Sequence, residues 1–151
     1  MNEIVIRNGS ESDLKAVHDL IIELAIYEKA PNEVETTVES MREDAFSSKL
    51  FSFIVAEQNN EIMGLALYYY RYSTWKGKCL FLEDLVVSEE HRRKGIGSLL
   101  MDEMIAISKK EKVSRLMWQV LDWNQPAIDF YKKYDAIIEP EWLNCKIIDF
   151  S

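Results

Sequence analysis

Apolar residues recur at helical spacing along three stretches of the chain, with short apolar runs between them. Leu14, Val17, Leu20, Ile21, Leu24 and Ala25 mark one helical face. Ser10 and Asp13 are spaced as a capping box at its start. Pro31 disfavours helical geometry in the residue before it, so this helix is expected to close near Lys29. Thr36 and Glu39 form a second capping-box pattern, opening a shorter helix to about Phe46. Leu99, Leu100, Met104, Ile105 and Ile107 predict a third helix to about Lys110. Asn124 is a suitable N-cap with Pro126 close behind, predicting a fourth through Tyr134. Glu3 to Arg7, Phe51 to Glu57, Glu61 to Tyr70, Cys79 to Val87, Arg115 to Leu121 and Trp142 to Phe150 read as strands, and Gln58, Asn59 and Asn60 suit a tight hairpin. The order β-α-α-β-β-β-α-β-α-β predicts a mixed α/β sheet, in which a strand, a crossover helix and a neighbouring strand form a parallel unit.

Length and charge narrow the class. A chain of 151 residues suits one domain, residues 1–151, and no repeat or Pro/Gly-rich linker divides it. The longest uninterrupted apolar run, Ile62 to Tyr70, is far below the ~20 residues of a spanning helix, so no membrane association is expected. The start, M-N-E-I-V-I-R, lacks the basic and apolar regions of a secretory signal, and two cysteines are few for a secreted chain this size. The expectation is a cytoplasmic protein. A net charge of −8 counts against nucleic-acid binding, which needs a broad basic face, and suits a cationic partner, although acidity also serves solubility.

Against that acidity, the cations of S-E-E-H-R-R-K-G-I-G-S-L-L (residues 88–100) are notably local. They lie where an apolar strand gives way to a helix, the context in which free backbone N–H groups make an anion site. Gly95 and Gly97 let the backbone approach a ligand, and Arg92, Arg93 and Lys94 supply countercharge. Neither G-x-x-x-x-G-K-[ST] nor G-x-G-x-x-G is present; what stands is R-x-x-G-x-G. A solvated surface loop would carry the same residues, but the strand-to-helix placement favours a diphosphate.

R-x-x-G-x-G, followed one strand later by W-N-Q-P-A-I-D-F-Y (123–131), resembles the GNAT superfamily of N-acetyltransferases, whose corresponding loop binds the pyrophosphate of acetyl-CoA. E-L-A-I-Y-E (23–28), Y-Y-Y-R-Y-S-T-W-K-G-K (68–78), L-E-D-L-V-V (82–87) and V-L-D-W-N-Q-P-A-I-D-F-Y-K (120–132) are similar to the diamine acetyltransferases, the branch holding the spermidine/spermine and thialysine enzymes. The resemblance implies a mixed sheet of about seven strands flanked by about four helices, acetyl-CoA as co-substrate, no metal and a homodimer. It implies a cofactor site formed by Leu85, Val86, Val87, Arg92, Arg93, Lys94, Gly95, Ile96, Gly97, Ser98, Asn124 and Tyr131. It also brings Glu28, Glu83 and Asp84 to the amine side.

The chemistry can be posed without the family. An alkylammonium has a pKa near ~10 and must lose a proton before it attacks a thioester. Glu83, at the end of an apolar strand, is the candidate base. In a regular strand Asp84 would face the other way, unless a β-bulge re-aims the pair; surface salt bridges are the alternative reading of both acids. Charge developing on the thioester oxygen needs preorganised N–H groups, which a bulge near Leu85 and Val86 would free. Tyr131 resembles the family's proton donor to the departing thiolate, although an aromatic on an amphipathic helix commonly packs in the core, the role expected of Phe130. Asn124 serves as a helix cap and, by resemblance, lies along the CoA arm. Trp75 offers a face to a cation, or else packs on the sheet.

His18 falls among apolar positions and reads as structural, while His91 adjoins the cations and is within reach of phosphate. Cys79 and Cys145 lie in apolar strand contexts where thiols are inert, which disfavours a covalent route, and the two His and two Cys lack zinc-ligand spacing. Ser73 stands where the spermidine/spermine enzymes carry Asp, favouring a small diamine or a lysine-like amine. Asp135 replaces the family's usual glycine at a helix end that favours left-handed geometry. Glu141 and Trp142 match the family only loosely, as dimer or substrate contacts. The competing functions are acetylation of protein or antibiotic amines, and a non-catalytic CoA-binding regulatory module.

Overall fold

A computed structural model describes residues 3–151; Met1 and Asn2, part of the stretch read for a secretory signal, lie outside it. The chain forms two compact units, one ending at Gln119 and one spanning Val120–Ser151.

The first unit contains a five-stranded mixed sheet in the order β1-β2-β3-β4-β5. Its strands are β1 (Val5–Asn8), β2 (Ser52–Gln58), β3 (Glu61–Ser73), β4 (Gly77–Val87) and β5 (Arg115–Met117). The first four are antiparallel neighbours, and β5 pairs parallel to β4. The parallel pair brackets α3 (Ile96–Lys110), as the sequence pattern requires of a crossover. Asn59 and Asn60 turn β2 into β3 with φ of 54° and 61°, the left-handed pair that a tight hairpin selects and that Asn tolerates.

The two faces of the sheet are covered differently. Leu65 and Leu67 of β3 and Val86 of β4 join Leu14, Val17 and Leu20 of α1 (Leu14–Tyr27) and Met41 of α2 (Val38–Arg42) in one buried cluster. On the other face, a Cβ added to Gly64 would meet Leu100 at 3.0 Å and Ile96 at 3.1 Å, so β3 and α3 are in close approach there. Glycine at position 64 lets the helix that follows the cationic loop sit directly on the sheet.

Several boundaries differ from expectation. The Ser10 and Asp13 box caps a 3-10 turn, Glu11–Asp13, and α1 begins after it. The second box is shifted by one residue: Thr37 Oγ1 accepts from the Ser40 N–H (3.0 Å) and Ser40 Oγ accepts from the Thr37 N–H (2.9 Å), because Thr37 is the residue with extended backbone. A π-helical turn, Glu43–Ser47, continues α2. The sheet has five strands among the described residues where about seven were expected. The β5 pairing stops at Met117, and Trp142–Phe150 forms no strand. A strand needs a pairing partner as well as an alternating pattern, and the pattern alone cannot show one.

In the second unit, α4 (Gln125–Lys132) begins at Asn124, whose Oδ1 accepts from the Ala127 N–H at 3.3 Å. Beyond its end Asp135 adopts φ 56°, the left-handed geometry its position favours. Cys145 is exposed here and outside any strand, contrary to the buried setting expected of it, whereas Cys79 is fully buried in β4.

Candidate active site

The L-E-D acids lie at an irregularity in β4. Leu67 pairs with Asp84 and the next residue, Tyr68, pairs with Leu82, so Glu83 has no partner in the ladder. That extra residue is a β-bulge, and it resets the alternation of side chains. Cross-strand partners share a face. Tyr69 and Phe81 therefore lie on the α1 side with Leu67, and so do Asp84 and Val86 beyond the bulge. The Tyr69 hydroxyl donates to Glu83 Oε1 at 2.8 Å, which brings Glu83 to that same side. One unpaired residue thus puts two carboxylates together that a regular strand would send to opposite faces.

Glu28, the residue that closes α1, completes the group. Burial raises the Asp84 carboxyl to about 6, with further upward pushes from Glu83 and then Glu28. The Glu28 carboxyl is also raised, by burial. Asp84, partly buried and pushed by both neighbouring glutamates, together with partly buried Glu28 and exposed Glu83, favours a cation placed among them.

The bulge lies before Leu85 and Val86, not around them, and both are regularly paired, with Ala66 and Leu65. The bulge therefore does not free their amides, contrary to the expectation for a bulge near Leu85 and Val86. The opening lies on the other edge of β4: β5 pairs only with Cys79, Leu80 and Phe81, and the described ladder offers Leu85, Val86 and Val87 no partner on that side.

Past Val87 the chain makes a 3-10 turn, Glu89–His91, then Arg92 is extended and Arg93 takes φ 67°. Gly95 follows at φ 78° as the N-cap of α3, with open space where a Cβ would stand. The first α3 bond runs from the Leu99 N–H to the Gly95 carbonyl, so the amides of Ile96 and Gly97 precede the helical ladder. Arg92 donates through Nε to the Val87 carbonyl (3.3 Å), and its guanidinium lies 5.2 Å from the Tyr27 ring centre. Arg93 and Lys94 are exposed. The N–H groups, the left-handed glycine and three cations suit a phosphorylated ligand.

His91 turns from the cations. Its Nδ1 shares a 2.6 Å hydrogen bond with Ser88 Oγ, and its Nε2 lies 3.7 Å from Glu61 Oε2. Glu61, Glu90 and His91 bring potential ligand atoms within 4.8 Å of one another, with both glutamates exposed. His18 Nε2 hydrogen-bonds the Thr36 carbonyl oxygen (2.7 Å), in keeping with a structural role.

Trp75 is not brought to the acids. It stands at the tip of the β3–β4 hairpin, 85% exposed, so it does not pack on the sheet. From Tyr69 to the hairpin end at Ser73 the strand climbs ~13 Å. Ser73 Oγ accepts from the N–H groups of Trp75 (3.3 Å) and Lys76 (3.0 Å) and so holds that turn. In the second unit, Tyr131 and Phe130 are both half-buried on α4, their ring centres 5.5 Å apart, so Phe130 does not take the core position expected of it. Tyr69 was not anticipated. Its even spacing from Leu65 and Leu67 was the available signal, hidden inside a run of three tyrosines.

A family model described as "Acetyltransferase (GNAT) family" matches residues 15–135. The chain belongs to this family of acetyl-CoA-dependent acetyltransferases, and it falls in the diamine and thialysine acetyltransferase branch. It is 37% identical over 153 residues to the thialysine N-epsilon-acetyltransferase of Bos taurus, covering 94% of this chain and 90% of that protein. It is 30% identical over 145 residues to the human spermidine/spermine N(1)-acetyltransferase-like protein 1, covering 91% of this chain and 21% of the relative. A predicted acetyltransferase from Clostridium acetobutylicum, solved with acetyl-CoA, shares the fold at a TM-score of 0.77 and 18% identity, covering 95% of this chain and 96% of that one. Among the described residues no helix is long and apolar enough to cross a membrane.

Proposed function

We propose that the protein transfers the acetyl group of acetyl-CoA directly to a primary amine of a small cation, a thialysine- or lysine-like amine or a short diamine, in a ternary complex. The observation that carries this reading is the bulge at Glu83, which collects Glu83 and Asp84 on one face, in the electrostatic reach of Glu28. Glu83 takes the proton of the ammonium, directly or through water. The amine nitrogen then bonds to the thioester carbonyl carbon, the carbon–sulfur bond breaks, and the nitrogen sheds its second proton to water, which restores the proton that Tyr131 gives to the thiolate. The amides of Leu85, Val86 and Val87 receive the charge on oxygen, and Tyr131 returns a proton to the thiolate. Arg92, Arg93 and Lys94, with the amides of Gly95, Ile96, Gly97 and Ser98, hold the diphosphate, and Asn124 lines the CoA arm. Asp84 and Glu28 hold the second positive charge of the substrate. Trp75 would meet only a long amine, or one held with help from a second copy of the chain.

We assign the working form as a homodimer in the cytoplasm, with neither nucleic acid nor membrane as partner and no metal in the chemistry. Ile137, Trp142, Leu143, Ile147, Ile148 and Phe150, large apolar side chains exposed within one short stretch of the chain, support an association surface. Two free cysteines are consistent with a reducing compartment.

Thiol release from acetyl-CoA, measured against thialysine, lysine, ornithine, putrescine, spermidine and lysine-containing peptides, tests the proposal. Release is expected with the small dications. Release with peptides alone would reject the substrate class, and CoA binding without release to any amine would reject catalysis.

A further inference from the structure

We propose that Tyr69 is a positioning residue that aims the Glu83 carboxylate at the attacking amine; this rests on the reading of Glu83 as the base. Glu83 is exposed and sits on the one β4 residue that the ladder leaves out, so neither backbone pairing nor packing fixes its side chain. A glutamate with three rotatable bonds sweeps a wide volume, and a base is effective only within hydrogen-bond reach of the proton it removes. The Tyr69 hydroxyl supplies the missing restraint by donating to Oε1 at 2.8 Å. Oε2 is then left to receive the substrate's proton.

Tyr69 can do this because it is itself held. Tyrosine has only two side-chain torsions, and the ring lies 5.5 Å from that of its cross-strand partner Phe81, which is buried. The Arg71 guanidinium lies 5.4 Å from the Phe81 ring centre. Burial, then the bond to Glu83, pushes the Tyr69 hydroxyl up to about 12, so it remains a donor across the working range of an amine acetyltransferase. A donor on a carboxylate does not make it a stronger base. The benefit is orientation, which requires a partner as rigid as a tyrosine packed on the buried Phe81 ring.

The test is a double-mutant cycle read as turnover at saturating acetyl-CoA and amine. Tyr69→Phe removes only the hydroxyl and should lower kcat roughly tenfold, the scale of one hydrogen bond to a charged group, with KM for acetyl-CoA and the melting temperature unchanged. Glu83→Ala should lower kcat further, and adding Tyr69→Phe to it should change nothing more. If Tyr69→Phe lowers kcat equally in both backgrounds, Tyr69 acts independently of Glu83 and the inference fails. Should Tyr69→Phe leave the wild-type rate intact while Glu83→Ala impairs it, the inference fails and the base assignment stands. An unimpaired Glu83→Ala removes the base assignment and the inference with it.

Discussion

Glu83 and Asp84 are adjacent in sequence and share a face, but the tasks proposed for them differ. Replacing Glu83 by Gln should lower kcat about 10²-fold at pH 7. The deficit should shrink as pH approaches ~10, where the amine sheds its own proton; pH–rate profiles of the two proteins decide it, and a deficit constant with pH would contradict the role. Asp84 is better seen in stability. Its folded carboxyl titrates at about 6 against 3.8 for the free group, so between those values the folded state binds more protons than the unfolded one. Stability is therefore lost as pH rises through that window. Asp84→Asn removes the effect. It should melt higher than wild type at pH 7 and equally at pH 3.5, while binding the cationic amine less well.

At the scale of elements, much was legible because the determining contacts are local. The face of α1, the Asn59–Asn60 hairpin, the reach of α3 to Lys110 and the left-handed Asp135 all follow from residues within a few positions of one another. The second capping box was misplaced because Thr36 and Thr37 each have a polar residue three positions on, and only the backbone decides between Glu39 and Ser40. The bulge was legible as a possibility in L-E-D, but its register depends on β3, a distant partner. Tyr69 went unseen for the same reason, since a contact between Tyr69 and Glu83 exists only after pairing. The end of β5 and the strandless tail are non-local outcomes too. One element-scale prediction concerns α3: Gly64→Ala should cost about 1–3 kcal/mol by overpacking against Leu100 and Ile96. Denaturant unfolding measures the loss. Gly95→Val, by contrast, has open space beside it but puts a β-branched residue at φ 78°, so it should cost stability through backbone strain as well as weaken acetyl-CoA binding, as denaturant unfolding and calorimetry would show.

For the molecule as a whole, charge is partitioned. The cluster Arg92, Arg93 and Lys94 precedes α3, while Glu83 and Asp84 lie on the α1 face of β4, a separation that under the proposed function suits one anionic and one cationic co-substrate. Stability carries a second acid response, opposite in sign. Asp13, buried and bonded twice by Arg7 (2.8 and 3.0 Å), has its carboxyl lowered by that guanidinium. It contributes stability above the free value of 3.8 that is lost as pH falls through its folded value. Arg7→Met leaves the acid without its partner and should cost about 1–3 kcal/mol at pH 7, with a smaller loss on acidification than in wild type. Thermal melts from pH 2 to 7 would show both.

Position 83 is supernumerary to the sheet. A protein shortened by that single amino acid would run Leu82, Asp84, Leu85 in uninterrupted alternation, every rung matched and Asp84 still facing α1. Such a deletant should melt higher than its parent and, under the role proposed for Glu83, turn over far more slowly.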